Sequence, residues 1–422
     1  MLNNRKVFGK KIDFLLFISP LVMISLPRFV NILLGISYNI DLVKIFSLLL
    51  FFIIFNAWLM TRKISITKTD LVYIVFLLGL ILSITRSPNA LLSLAYLISD
   101  IMIIYAFYFY GKSLRYSFFS YKYLSKFIFY FSIFAFTSAI IENQTNINPF
   151  VDLMILTGSN IGDNIKNLSK DLGFVPSLWL GFSLDAAQIM FSLLFLSLIK
   201  YYTTKNNAYI LSTLLIGITI LLIQSKGVIL IVAFLFIIMI YSRYNSLVLS
   251  YKKIILLPLV LSVGFVIAYI TFNLFQDFAS TLLNDNQYTS IATRIYGFTV
   301  SFQMITDNPI GFGYGAVTKS SIAGMLDLNS IYYKGIRFDF IYPLALAVES
   351  SIITALSFLF FLFLIILNSR RLYKMYPSKA NKILLLYIIL YPFVLFTTTA
   401  NFSLMLYLFI IANREQIMKG NR

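Results

Sequence analysis

The sequence predicts an all-α polytopic membrane protein of about 12 transmembrane helices with both termini cytoplasmic. Three observations predict it. Of 422 residues, 59% are hydrophobic and only 12% charged, at a mean hydropathy of +0.87; water-soluble domains carry about 25% charge. The apolar residues come in runs near the roughly 20 residues that span a bilayer. The basic residues cluster at every second junction between those runs. A soluble globule and a disordered chain are both excluded by the first observation. There is no cysteine and no histidine, which removes disulfides, thiolate or imidazole metal ligands and any histidine base.

Twelve apolar segments follow in order: about 14–36, 41–60, 69–86, 89–111, 123–142, 178–200, 207–223, 226–242, 254–275, 340–368, 382–397 and 399–413. Each is read as a helix, because only helices and closed barrels satisfy the backbone in lipid, and barrel alternation is absent. The first contains Pro20 and Pro27 and is expected to kink. It is not expected to be a cleaved leader, since no small-residue cleavage site follows. The last two are short, about 24 Å or less, with Thr397–Asn401 read as a hairpin between them.

With the N-terminus inside and twelve crossings, the inner segments hold 24 of the 34 Lys and Arg residues. This is the positive-inside pattern, and adding or dropping one span places several clusters on the wrong side. The net charge of +18 is thereby spread over separate juxtamembrane patches and forms no nucleic-acid groove. Two large connections, about 143–177 and 276–339, fall on the outer, periplasmic or extracellular, face. The whole chain, 1–422, reads as one integral membrane domain with no repeat and no linker. Loops of this length in a compact protein are usually functional.

The second large connection holds the most informative segment, which opens at Arg294 and runs to Asp307-Asn308-Pro309. Ile295, Phe298, Phe302 and Ile305 recur at helical spacing, as in an amphipathic surface helix. Pro309 ends it, and Gly311-Phe312-Gly313-Tyr314-Gly315 follows. A glycine-rich turn brings backbone N–H groups close to an anion, and an arginine fork matches phosphate oxygens two at a time. One reading is a phosphate or pyrophosphate seat; the other is a surface helix, a turn and a snorkelling arginine. No strand precedes the glycines, so a dinucleotide fold is excluded.

Arg294, the patterned helix and Asn308-Pro309-Ile310-Gly311-Phe312-Gly313 together resemble the signature of the O-antigen polymerase and ligase superfamily, the Wzy and WaaL proteins. Gln224-Ser225-Lys226-Gly227 is similar to the Ser-Arg-Gly element of that family, with lysine for arginine. The segment from Asp339 to Glu349 resembles the one that follows the family's large loop. As motif the resemblance covers about 224–227 and 294–350; as architecture it covers most of the chain. Ligases carry a histidine after the large loop. Its absence favours a polymerase, here called Wzy-like. Some polymerases carry an arginine-rich first loop, whereas 143–180 here offers only Lys166 and Lys170.

The resemblance implies a membrane glycosyltransferase that joins undecaprenyl-pyrophosphate-linked oligosaccharide repeat units into O-antigen or capsular polysaccharide. The lipid pyrophosphate is the leaving group, in the bacterial inner membrane with the active face periplasmic. Lipid-linked donor and acceptor glycans, membrane lipid and a chain-length regulator are the implied partners; no nucleic acid, metal or cofactor is expected. Arg294 is the catalytic cation expected to steady the departing pyrophosphate. Asp339 is the carboxylate base, or equally a first-turn acid of the tenth span. Arg337, Lys226, Lys319, Lys170, Gly311, Gly313, Asp185 and Glu349 are the expected substrate-binding residues. Glu349, about ten residues or roughly 15 Å beyond Asp339 by helix rise, and Asp100, inside a span, have a structural pairing role as their alternative. Tyr332, Tyr333 and Tyr342 stack on sugars or belong to the interfacial belt. An O-antigen ligase, a flippase for the same lipid-linked sugars, and an envelope assembly protein are the competing readings.

Overall fold

The computed structural model describes residues 66–98, 103–114, 122–145, 183–223, 228–229, 231–233, 300–317, 342–395 and 402–421. Among these there is no strand. The helices are α1 (Lys68–Ser83), continued by a 3-10 turn (Ile84–Arg86), α2 (Ala90–Tyr96), α3 (Ile103–Ser113), α4 (Lys122–Thr145), α5 (Ser183–Thr204) and α6 (Ala208–Leu222). They continue with α7 (300–307), α8 (Tyr342–Glu349), α9 (Ile352–Met375), α10 (Lys379–Leu395) and α11 (Phe402–Gly420). Four helical stretches are long and apolar enough to cross a membrane: Lys68–Arg86, Tyr123–Thr145, Ala186–Thr204 and Ile352–Met375. The expected spans 14–36, 41–60 and 254–275, most of 226–242, Asp100, and the hairpin at Thr397–Asn401 lie outside the described residues.

Local chemistry sets the boundaries. At the start of α1 the Asp70 carboxylate accepts the Thr67 N–H at 2.5 Å and the Thr67 hydroxyl at 2.7 Å, half of a capping box. Pro88 disfavours helical geometry at the residue before it, and Ser87 is extended (φ −70°, ψ 142°). Asn89 then caps α2 by accepting the Leu92 N–H at 3.0 Å. Ser378 caps α10 in the same way through the Asn381 N–H at 3.1 Å.

One expected span is interrupted. The segment read as 89–111 contains α2 and α3, and residues 99–102 between them lie outside the described residues. The segment read as one helix over 340–368 breaks after Glu349: α8 stops there, and α9 begins at Ile352. Periodicity could not show this break, because the residues on both sides are equally apolar and its cause lies elsewhere in the chain.

The helices form two compact units. One takes its described residues from Met1–Val72, Leu94–Ile231 and Phe360–Arg422; the other takes them from Tyr73–Ser93 and Val232–Leu359. In the first unit α5 is central, packing on α6, α10 and α11, while α3 lies against α11 and α4 against α6. Of the apolar stretch of α5, 78% is buried, against 33% for α4, so α5 is an interior helix and α4 a peripheral one. The Gly111 position lets α3 approach α11 closely, since a Cβ there would lie 2.6 Å from the Phe409 carbonyl oxygen. Small residues at helix crossings serve this purpose in membranes.

The distribution of polarity suits lipid rather than water. On α6 the exposed residues are Leu211, Leu214, Ile218 and Leu221, while Ser212, Thr213 and Thr219 are buried. Hydroxyls join α6 to α5: Ser197 donates to the Tyr209 carbonyl at 2.9 Å, and Thr213 donates to Ser197 at 3.1 Å. A buried aromatic and hydroxyl cluster joins α10 and α11 to α5. Tyr391 and Tyr407 stack at 4.2 Å, Tyr391 donates to Ser403 at 2.8 Å, and Tyr387 donates to Ser192 at 3.1 Å. Ser403 in turn donates to the Gln188 side-chain oxygen. Such bonds hold helices together where lipid supplies no hydrophobic contrast.

The first unit also contains a buried ion pair. Lys112 of α3 meets the Asp70 carboxylate, which is 1% exposed and also accepts the Tyr108 hydroxyl at 2.9 Å. Breaking such a pair strands a charge, at a typical cost of about 3–5 kcal/mol. Asp70→Asn should therefore lower the thermal unfolding temperature of the detergent-solubilised protein. In the Asp70→Asn/Lys112→Met double variant much of the loss should return. Additive losses in that cycle would show that the pair does not couple α1 to α3.

Candidate functional site

The site grows from the break between α8 and α9, within the second unit. A helix that stops leaves its last carbonyls without intrahelical donors. Here three successive carbonyls find donors from distant segments. The Val348 carbonyl accepts the Phe312 N–H at 2.9 Å, and the Glu349 carbonyl accepts the Gly313 N–H at 2.9 Å. The Ser350 carbonyl accepts Arg86 Nη2 at 2.6 Å. On the far side of the break, Ile352 N–H donates to the Pro309 carbonyl at 3.2 Å. Ser351, at φ 156°, leaves the helical region and caps α9 by accepting the Thr354 N–H at 3.1 Å.

The glycine turn is shaped for this docking. Gly311, Gly313 and Gly315 all have positive φ, at 87°, 102° and 85°, where a side chain is disfavoured. A Cβ on Gly311 would sit 2.8 Å from the Glu349 carbonyl oxygen, and one on Gly313 would sit 2.5 Å from the Ser87 backbone. The N–H groups of Gly311 and Gly313 donate to the Asn308 and Glu349 carbonyls. In this structure both amides are engaged by backbone carbonyls, and the glycines permit the close approach.

Glu349 is 3% exposed, and its Oε1 accepts the Val317 N–H at 3.1 Å. The carboxylate is thus held by the end of the same turn that caps its helix. Three of the expected substrate-binding residues, Gly311, Gly313 and Glu349, meet here although up to 38 positions separate them in sequence. Of the helix expected before the turn, α7 (300–307) lies among the described residues, and Ile295 and Phe298 lie outside them. Val300, Ser301, Met304 and Ile305 are buried on α7, whereas Phe302 is 40% exposed. Asp185 lies in the first turn of α5, its side chain outside the described residues. Arg294, Asp339, Arg337, Lys226, Lys319 and Lys170 also lie outside them.

The sequence reading missed the tip that joins α1 to α2. Arg86 reaches Ser350, and the Ser93 hydroxyl donates to the Tyr314 carbonyl at 2.8 Å and lies 2.5 Å from the Ser87 hydroxyl. One signal was available. Arg86 is a basic residue at a junction that the charge asymmetry assigns to the basic-poor side. In that position a cation is the exception and invites a partner.

Steric demand at the turn is testable by a pair of substitutions. Gly313→Ala places a methyl group against the Ser87 backbone at an unfavourable φ and should destabilise the protein by about 1–3 kcal/mol. Gly217→Ala, mid-helix on α6 with open space around its Cβ position, should be neutral or stabilising by about 0.5–1 kcal/mol. Thermal unfolding of both variants checks this; equal stability would remove the close-packing role from Gly313.

No curated protein and no solved structure matches the chain. A family model does: Wzy_C, described as O-antigen ligase, matches residues 211–342. That is roughly a third of the chain, and it contains the Arg294 segment, the glycine turn and the connection leading to α8. The match bears out, over this segment, the resemblance of the chain to the O-antigen polymerase and ligase superfamily.

Proposed function

We propose that this protein is a polysaccharide polymerase acting on lipid-pyrophosphate-linked glycan repeat units. The observation that carries the proposal is the union of the glycine turn with Glu349 at an interrupted membrane helix. The glycine turn, which lies within the family match, is thereby held beside a buried carboxylate, in a chain whose charge asymmetry assigns this end to the outer face. An acceptor hydroxyl oxygen attacks the anomeric carbon of the donor glycan. The new C–O bond forms as the bond from that carbon to the pyrophosphate oxygen breaks, and the electron pair leaves with the lipid pyrophosphate. The hydroxyl proton passes to a carboxylate, for which Asp339 is the candidate. Arg294 steadies the charge that develops on the leaving group. Arg337, Lys226, Lys319 and Lys170 supply further positive charge, and Asp185 and Glu349 the polar lining. A chain-length regulator is the expected protein partner.

The ligase reading has one observation in its favour, the description carried by the matching family model. Against it stands the absence of histidine from the chain, since ligases carry one after the large loop. A deletion strain separates the two on a gel of surface polysaccharide. Core bearing a single repeat unit indicates a polymerase, and bare core with polymer retained on carrier lipid indicates a ligase. Arg294→Ala should abolish long glycan chains while the protein still reaches the membrane; unchanged chain lengths would remove Arg294 from the reaction.

A further inference from the structure

A polymerase of this kind handles two pyrophosphate lipids at once, since donor and acceptor each hang from one. Arg294 is proposed for the donor's pyrophosphate, and the acceptor's needs positive charge of its own. The second unit contains a half-buried guanidinium, that of Arg86. One of its five N–H donors is spent on the Ser350 carbonyl, and among the described residues it has no carboxylate partner. A partly desolvated charge without a counter-ion is costly, and the fork geometry of the remaining donors suits phosphate oxygens.

Two further observations centre on the same break. The Ser350 hydroxyl is fully buried and has no hydrogen-bond partner among the described residues, which costs about 1–3 kcal/mol on its own. The N-terminus of α9, a 24-residue helix, lies there with its Ile352 and Thr354 amides already bonded to Pro309 and Ser351, so it contributes the field of its dipole rather than a set of free donors. Interrupted membrane helices present such ends to anionic groups of their substrates. By contrast Lys112, a cation of the first unit, is already matched by Asp70. We infer that Arg86, with the Ser350 hydroxyl and the first turn of α9, forms a second phosphate seat that holds the pyrophosphate of the acceptor lipid. This inference rests on the polymerase reading and adds to it a place for the second substrate.

The test uses the full-length protein in nanodiscs. The donor is a lipid-pyrophosphate oligomer. The acceptor is a single repeat unit whose sugar–phosphate oxygen is replaced by carbon, so that it cannot itself donate. Arg86→Gln should raise the KM for this acceptor at least tenfold and leave the KM for the donor within twofold. Arg86→Lys retains a donor for the Ser350 carbonyl but loses the fork, and should show the same acceptor defect at wild-type thermal stability. Full recovery of acceptor KM by lysine would reduce Arg86 to a helix cap and overturn the seat, as would equal losses for donor and acceptor. A binding arm stands apart from turnover: native mass spectrometry with undecaprenyl pyrophosphate should find two lipids on the wild type and one on Arg86→Gln. A single lipid on the wild type, or displacement of the second by phosphatidylglycerol at equal concentration, would also overturn it. Absence of elongation by the wild type, with two lipids bound, would instead count against the polymerase reading alone.

Discussion

A helix that ends among apolar side chains must find donors for its last carbonyls, because lipid offers none. In the second unit that requirement organises everything else. Val348, Glu349 and Ser350 present three carbonyls in a row, and Phe312, Gly313 and Arg86 answer them. The turn can answer only because glycines let its backbone lie against both Glu349 and Ser87. The tip between α1 and α2 can answer only because Pro88 ends the first helix where Arg86 is still half-buried. One break thus gathers three segments that are far apart in sequence, and the buried carboxylate of Glu349 is fixed as a consequence.

This explains why some of the molecule was legible in the sequence and some was not. Hydropathy reports length and apolarity, so α1, α4 and α6 could be read directly. Basic clusters order the spans. The partnership of the glycine turn with Glu349 was foreshadowed by motif resemblance, but its physical form was not. A Gly-x-Gly turn looks the same in sequence whether its amides meet a phosphate or a carbonyl, and only the position of the helix end decides. The break itself was hidden for a related reason. Ser350 and Ser351 are tolerated within a membrane helix, and nothing local marks them as a stop. The stop is imposed by donors arriving from residues 312, 313 and 86. On α7 the expected stripe residue Ile305 is buried together with Val300 and Met304, while Phe302 is exposed.

The two units use polarity differently. In the first, several polar groups are spent on cohesion, although Gln188 Nε2 and Arg414 Nε are buried without a partner among the described residues. Asp70 and Lys112 neutralise each other, Ser197 and Thr213 bond across α5 and α6, and Tyr391, Tyr407 and Ser403 lock α10 to α11. Such groups cost little once paired and cannot respond to a substrate. At the break in the second unit, among the described residues, the Arg86 guanidinium makes one bond and the buried Ser350 hydroxyl none.

That contrast bears on where chemistry belongs. Binding energy for a charged ligand comes from groups whose desolvation has already been met by folding but whose bonding capacity has not been used. A matched pair such as Asp70–Lys112 offers neither charge nor free donors to a pyrophosphate. A cation anchored through one nitrogen beside a helix N-terminus offers both. The anchoring bond to Ser350 serves two ends. It closes the interrupted helix, and it tethers the guanidinium at the break. The interruption of α8 and α9 is therefore better understood as the means of holding a charge in place than as a defect that the glycine turn repairs.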